Sequence, residues 1–294
     1  MKLSEIFKTG KPTLSFEFFP ARNEKAAETF NQTIEDLVEL KPDFVSVTFG
    51  AGGSTKEGSY ELVKKLKKEK ELEVVAYLAA FALKKDEINA VLNSYQDLGI
   101  ENILALRGDP PKDADVTQVS AESFKYASEL AAFIHQNYSF CLGVAGYPEG
   151  HIEAPSLKKD IEYLKHKVDQ GVDFIIAQFF YDNVCFFDFR ERCQKSGINI
   201  PVLPGIMPVY SVKMMEMLAG SCGAKIPEKL RKGISELPEG DTKALVDFGI
   251  EYATGQCEEL LKEGARGLHF YTMDKSESTV GIVKGLRNRG FLTI

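Results

Sequence analysis

Residues Leu14–Pro20 read LSFEFFP. The run is short, apolar and aromatic and stops at a proline, which describes a buried strand. Glu17 breaks the pattern, because glutamate is seldom fully buried without a function or a partner. Side chains alternate along a strand, so Ser15, Glu17 and Phe19 share one face and Phe16 and Phe18 the other. If this strand lines a barrel, the Glu17 face points into it. Burial disfavours the carboxylate form and would make Glu17 a proton donor near neutral pH. The plainer alternative is a carboxylate paired with a nearby Lys or Arg.

Outward from this strand, strand-like and helix-like stretches alternate. A helix with Phe30, Ile34, Leu37 and Val38 on one face stops at Lys41-Pro42. Further strands are read at Asp43–Thr48, Glu73–Ala79, Asn102–Leu106, Cys141–Gly146, Phe174–Phe180, Pro201–Met207 and Leu268–Thr272. Between and after them, helices are read at about Tyr60–Lys70, Lys85–Leu98, Ser120–Gln136, Ser156–Gly171, Val184–Lys195 and Ser276–Arg287. Leu157, Ile161, Leu164 and Val168 form the core face of the helix that follows Ser156. Residues Pro208–Arg266 hold several helical patterns and a polar break at Pro238–Asp241. Regular alternation of this kind implies a parallel sheet covered by helices. Eight units in this length predict a (β/α)8 TIM barrel, one domain over residues 1–294, with extra helices between strands 7 and 8.

The bulk composition narrows the function. Hydrophobic residues make up 44% and charged residues 27%, as in an ordinary globular enzyme. A net charge of -7 with no basic stripe speaks against nucleic acid or an anionic membrane as the partner. Five scattered cysteines without C-x-x-C fit reduced thiols, and the four histidines show no metal-ligand spacing, so no metal is expected. No apolar run reaches membrane-spanning length and no signal peptide is apparent, which fits the cytoplasm.

In such barrels the chemistry lies at the C-terminal ends of the strands. Those ends carry Glu17, Thr48, Arg107 with Asp109, Tyr147 with His151, Gln178, and His269 with Tyr271 and Thr272. The loop Gly50-Ala51-Gly52-Gly53 is not a dinucleotide fingerprint, since Thr55 stands where the third glycine belongs. Its backbone could still approach a ligand closely, or it is a plain strand-to-helix turn. Asp160, Tyr163 and Lys167 form a stripe at helical spacing that could hold the ribose or phosphates of a long cofactor. The first seven strands end in no lysine, which argues against a Schiff-base aldolase.

The motifs SFEFFP, DFVSVTFGAGG, ILALRGDPP, GYPEGHIEA, AQFFYD, PGIMPV and LHFYTMD, in this order, closely resemble the catalytic barrel of bacterial 5,10-methylenetetrahydrofolate reductases. The resemblance runs from about Leu14 to Arg287. It implies a flavin, FAD with FMN as the other form considered, and hydride transfer from NADH or NADPH to flavin to folate in one-carbon metabolism and methionine biosynthesis. By resemblance Glu17 is the general acid, and Asp109 lies beside flavin and pterin. Thr48, Phe49, Ala51, Arg107, Gly108, Tyr126, Ala127, Tyr147, His151, Ala154, Asp160 and Lys167 match flavin-site positions. Tyr77 stands where a flavin-contacting His is usual, Tyr163 replaces an Asn and His166 an Arg. Gln178 matches a glutamine that meets folate and nicotinamide in turn. Met214 takes the place of a folate-binding Gln, and Lys275 that of an Arg, keeping the charge without the bidentate fork. The resemblance further implies a homo-oligomer. The replacements leave room for a protein electron donor or a partner subunit. Two other readings are a flavin barrel dehydrogenase of the proline-dehydrogenase kind and a barrel subunit without catalysis.

Overall fold

The computed structural model describes residues 1–20, 24–50, 56–81, 83–108 and 123–292. Eight parallel strands close into a barrel in sequence order. They are β1 (Thr13–Phe18), β2 (Phe44–Val47), β3 (Val74–Ala79), β4 (Asn102–Leu106), β5 (Cys141–Gly146), β6 (Phe174–Phe179), β7 (Val202–Ile206) and β8 (Gly267–Tyr271). The helices are α1 (Leu3–Lys8), α2 (Glu24–Val38), α3 (Lys56–Lys68), α4 (Lys85–Asp97), α5 (Ala127–Asn137), α6 (Leu157–Val168), α7 (Asn183–Lys195), α8 (Val212–Cys222), α9 (Glu228–Ser235), α10 (Thr242–Lys262) and α11 (Glu277–Asn288). This is the TIM barrel expected, with α8, α9 and α10 as the extra helices before β8.

Every residue of β1 is buried, as a strand covered on both faces must be. Phe18 meets Phe30 of α2 edge-on at 5.9 Å, so the Phe16 and Phe18 face packs outward against helix. Ser15 and Glu17 face the interior. The register carries that face around the sheet, with Glu17 beside Ser46 on one side and Tyr271 on the other. Interior volume is tuned by glycine. A Cβ on Gly143 would lie 2.4 Å from the Phe174 ring, so the missing side chain is what lets Phe174 fill the barrel.

The floor is closed by α1, which the sequence reading did not foresee. Leu3 is fully buried, and Phe7 packs on Phe174 with ring centroids 6.0 Å apart. Asn102 fixes the helix by accepting from Leu3 N (2.7 Å) and donating to Met1 O (3.0 Å). Two aspartates pin strand starts in the same way. Asp43 accepts from Leu14 N at 2.7 Å and Asp173 from Leu142 N at 2.8 Å.

Two expectations are corrected. Helix α5 begins at Ala127, and residues 123–126 before it are not helical; the expected start at Ser120 lies outside the described residues. Glu129 accepts from the backbone N–H groups of Lys125 (2.7 Å) and Tyr126 (3.3 Å), which sets the helix start there. Leu157 is 43% exposed and sits under the backbone of Gly150 rather than in the core. Among the described residues no helix is long and apolar enough to cross a membrane, no three His, Cys, Asp or Glu side chains could hold a metal, and the five cysteines are free.

Candidate active site

Glu17, at the mouth end of β1, is only 3% exposed. Among the described residues no Lys or Arg pairs with it. Its nearest basic neighbour is His269 of β8, whose Nε2 lies 3.9 Å from Glu17 Oε2. His269 is itself fully buried and stacked on Phe44. Ser15 Oγ donates to Leu268 O at 3.1 Å and lies 2.9 Å from His269 Nδ1. With Nδ1 held by Ser15, Nε2 is turned to Glu17. The His269 Nε2 and Thr48 Oγ1 atoms are buried without a hydrogen-bond partner among the described residues. Orphans of this kind are uncommon and point to a ligand or water in the mouth.

Two phenols complete the surroundings of the acid. Tyr77, from β3, is buried near enough to Glu17 for the two to interact electrostatically. Burial first, and the Glu17 charge next, hold both Tyr77 and Tyr271 well above the usual phenol range. Tyr271 donates to Ala177 O at 3.1 Å across β7. Gly205 makes that crossing feasible, because a Cβ there would lie 2.5 Å from the Tyr271 ring.

A groove of about 600 Å³ runs outward from the ends of β4 and β5 along α6. Its walls include Arg107, Tyr126, Ala127, Tyr147, His151, Ala154, Asp160, Tyr163, His166 and Lys167, so most of the expected cofactor residues share one cavity. Asp160 and Lys167 fall on one face of α6 because they are seven residues, two turns, apart. Ser156 caps that helix by accepting from Lys159 N at 3.2 Å. Lys167 is partly buried, donates to Ala145 O at 2.7 Å and lies 5.9 Å from the Tyr147 ring centre. Burial lowers its pKa to about 8, against the pull of Asp160. Burial raises Asp160, offset by Lys167 and by the backbone N–H of His151. Arg107 is clamped by both oxygens of Glu153. Tyr126 and Tyr163 are 61% and 50% exposed at the outer end, and Lys159 Nζ lies over the Tyr163 ring, 5.5 Å from its centre.

The remaining positions are dispersed around the mouth. Thr48 and Phe49 follow β2 and are buried. Gly108 follows β4 with φ of +81°, and a Cβ there would come within 3.0 Å of Ala79 Cβ. Gln178 ends β6 in a small recess with Tyr147 and Glu149, its side-chain oxygen accepting from Phe179 N at 3.1 Å. Met214, on α8, packs against the apolar cluster of Phe179, Tyr181, Met207 and Val209. Lys275 follows a turn in which Met273 and Asp274 both have positive φ, 49° and 56°. Thr272 Oγ1 ties that turn to Glu17 O at 2.6 Å, and Asp274 Oδ1 ties it to Phe19 N at 3.0 Å. Asp109 and Ala51 lie outside the described residues.

Sequence reasoning missed Ser15 as the partner of His269 and Glu153 as the partner of Arg107. Glu153 stood inside the quoted GYPEGHIEA motif, but nothing local linked it to β4. A larger hollow of about 730 Å³ lies at the floor end, by Phe7, Arg190 and Arg266, and holds none of these residues.

Residues 2–287 match the methylenetetrahydrofolate reductase family. The chain is 34% identical to the 5,10-methylenetetrahydrofolate reductase of Escherichia coli, over 93% of this chain and 90% of that one. It is 36% identical to methylenetetrahydrofolate reductase (NADH) 1 of Arabidopsis thaliana, over 97% of this chain and 50% of that one. The chain thus spans about half the length of the plant relatives. Among solved structures, a Clostridium thermocellum protein described as binding two copies of 5-methyl-5,6,7,8-tetrahydrofolic acid has the same fold. The TM-score is 0.61 at 15% identity, covering 99% of this chain and 100% of that one.

Proposed function

The chain belongs to the methylenetetrahydrofolate reductase family, and from that premise we propose that it reduces 5,10-methylenetetrahydrofolate to 5-methyltetrahydrofolate with a reduced nicotinamide nucleotide. The observation that carries the reading is a buried carboxyl, Glu17, without a Lys or Arg partner among the described residues, at the mouth of the barrel beside which the groove along α6 opens. The methylene bridge must open before its carbon can accept hydride. Opening requires a proton on the departing nitrogen. Glu17 supplies it, its O–H bond breaking as the N–H bond forms. His269 flanks the carboxyl from β8. Gln178, Met214 and Lys275 contact the folate, and Asp109 orients its pterin.

The groove suits a flavin nucleotide, and its length along α6 supports FAD. Lys167, Arg107 and His166 would hold the phosphates, Asp160 and His151 the ribityl and ribose hydroxyls, and Tyr126 with Tyr163 the base. Thr48, Phe49, Ala51, Tyr77, Gly108, Ala127, Tyr147 and Ala154 would border the flavin. The chemistry supplied by bound flavin is hydride relay from nicotinamide to folate. The plant relatives are named for NADH, which favours NADH as the donor.

The test is the visible spectrum of the purified protein under anaerobic titration. A flavin band that bleaches with NADH and returns with methylenetetrahydrofolate is expected. A flavin that bleaches only with dithionite yet is reoxidised by folate would refute the nicotinamide donor. A protein that takes up no flavin would refute the reading.

A further inference from the structure

Glu149 stands in the turn after β5, outside the groove along α6. The same turn leads to α6, and Tyr147, His151 and Ala154 on either side of Glu149 do line that groove. Two later elements grip the turn. From α7, Arg192 donates through Nη2 to Pro148 O at 2.7 Å and is itself held by Asp188 at 2.7 Å. From the link after α8, the backbone N–H of Lys225 donates to both carboxylate oxygens of Glu149, at 3.1 and 3.0 Å. Beside that contact α8 ends at Gly223, with φ of +77°. A Cβ on Gly223 would lie 3.0 Å from Ile152 Cγ2, so the helix end is seated on the chain that follows the turn. Glu149, Gln178, Cys222 and Ala224 border one small recess between the two. An amide N–H facing a carboxylate is a charge-assisted bond, stronger than its neutral counterpart. Glu149 is half-buried, so the bond is partly sheltered from water.

We propose that Glu149 is a positioning residue for the folate, tying α8, the helix that carries Met214, to the turn that borders the cofactor groove. This inference rests on the proposed function, in which Met214 contacts the folate. The two ends of α8 are held differently. Its N-terminus is capped by Ser211, which accepts from Met214 N at 3.2 Å, and Met215 and Ala219 are buried in the apolar cluster around Phe179. Those contacts keep the helix folded. Its C-terminal end runs into Lys225, whose amide Glu149 holds. Without the carboxylate that amide loses its partner and the link loosens. Folate would then have to order α8 as it binds, and the ordering is drawn from its binding energy. Arg192 still holds the turn through Pro148 O, so the flavin side keeps its geometry. The loss therefore falls on folate affinity and not on the transfer of hydride or proton.

The experiment compares wild-type holoenzyme with Glu149→Ala, Glu149→Gln and Lys225→Pro in stopped flow, following flavin reduction by NADH and reoxidation by methylenetetrahydrofolate separately. In Glu149→Ala the folate concentration that gives half-maximal reoxidation should rise about 10-fold, with the limiting rate and flavin reduction both within about twofold of wild type. Glu149→Gln, whose amide oxygen still accepts from Lys225 N, should recover most of the affinity. Lys225→Pro removes the donor, leaves the carboxylate in place and should match Glu149→Ala. Combining Glu149→Ala with Lys225→Pro should weaken folate no further than either alone, since one bond cannot be lost twice. Without substrates, amide exchange in the last turn of α8 and at Ala224 should quicken about 10-fold in Glu149→Ala while α6 is unchanged. Unchanged folate affinity, or additive losses in the combined variant, would overturn the proposal. Loss of flavin, or equal slowing of both half-reactions, would assign Glu149 to the cofactor turn and overturn it as well. A wild-type enzyme whose reduced flavin is not reoxidised by folate would instead overturn the proposed function, and the exchange result would still decide whether Glu149 holds α8.

Discussion

A glutamate in the middle of LSFEFFP is conspicuous because the residues around it leave no polar environment except one supplied from other strands. Glu17 receives that environment from His269, Tyr77 and Tyr271. Glu17→Gln keeps the shape and loses the transferable proton. Its flavin should still be reduced by NADH at the wild-type rate, while folate-dependent reoxidation falls by roughly 10³-fold, measured by stopped flow. Reoxidation within tenfold of wild type would remove Glu17 from the role of acid. Lys167 offers a second test, through pH. Its pKa falls from 10.5 in the reference state to about 8 in the fold. Between those values the unfolded chain binds a proton that the folded chain has released. Stability of the flavin-free protein therefore rises with pH across about 8 to 10.5, and the full cost of the buried charge is present below 8. Flavin-free Lys167→Met should accordingly melt above wild type at pH 7, by a few degrees, with the gap closing toward pH 10.5. A gap independent of pH would show that the ammonium is not what strains the site. FAD phosphates would repay the charge, so FAD affinity should weaken by up to tenfold per pH unit above about 8 in wild type and stay flat in the variant, read by fluorescence titration.

At the scale of elements, the barrel floor and the barrel mouth divide stability from chemistry. Asn102 holds α1 through Leu3 N and Met1 O, and Phe7 rests on Phe174. Asn102→Ala leaves Leu3 N without its partner and should cost about 2 kcal/mol. Phe7→Ala opens a cavity beside Phe174 and should cost about 3 kcal/mol. Both losses would be read from urea unfolding, and both variants should keep their half-reaction rates, since neither residue reaches the mouth. Slowed reoxidation in either would show that floor and mouth are coupled. The strands were legible as short apolar runs with a helix after each, and the rim was legible from their C-terminal ends. Helix α1 was not, because six residues with only Leu3 and Phe7 facing inward are too short to show a period. The start of α5 was misplaced because its signal is a carboxylate reaching back to two amides, Glu129 to Lys125 and Tyr126, and not a capping residue ahead of the helix. Asp160 and Lys167 were legible as partners because helical spacing places them on one face. Ser15 and His269 were not, since 254 residues separate them and only barrel closure between β1 and β8 brings them together. The placing of Tyr77 on the same interior face as Glu17, two strands away, follows from the barrel register and not from any local pattern.

For the whole molecule, a barrel plugged at one end has consequences for the order of events. Leu3, Phe7 and Phe174 fill the floor, so Glu17 is approached from the C-terminal mouth. The groove along α6 opens beside that mouth and, by the reading above, is filled by the cofactor. What remains in front of Glu17 and Gln178 is one approach for two substrates. NADH and methylenetetrahydrofolate would then use the same face of the same flavin in turn, the first leaving before the second enters. Steady-state rates measured over a matrix of both concentrations should give parallel double-reciprocal lines, the pattern of a ping-pong cycle. Excess folate should inhibit competitively against NADH, because it occupies the mouth of the oxidised enzyme. Glu17→Gln should retain that inhibition while losing turnover, since the amide still fills the site and only the proton is missing. Intersecting lines would mean that both substrates are bound at once. That result would require a second approach to the flavin, and the side of the groove lined by Tyr126 and Tyr163 would be the place to look for it.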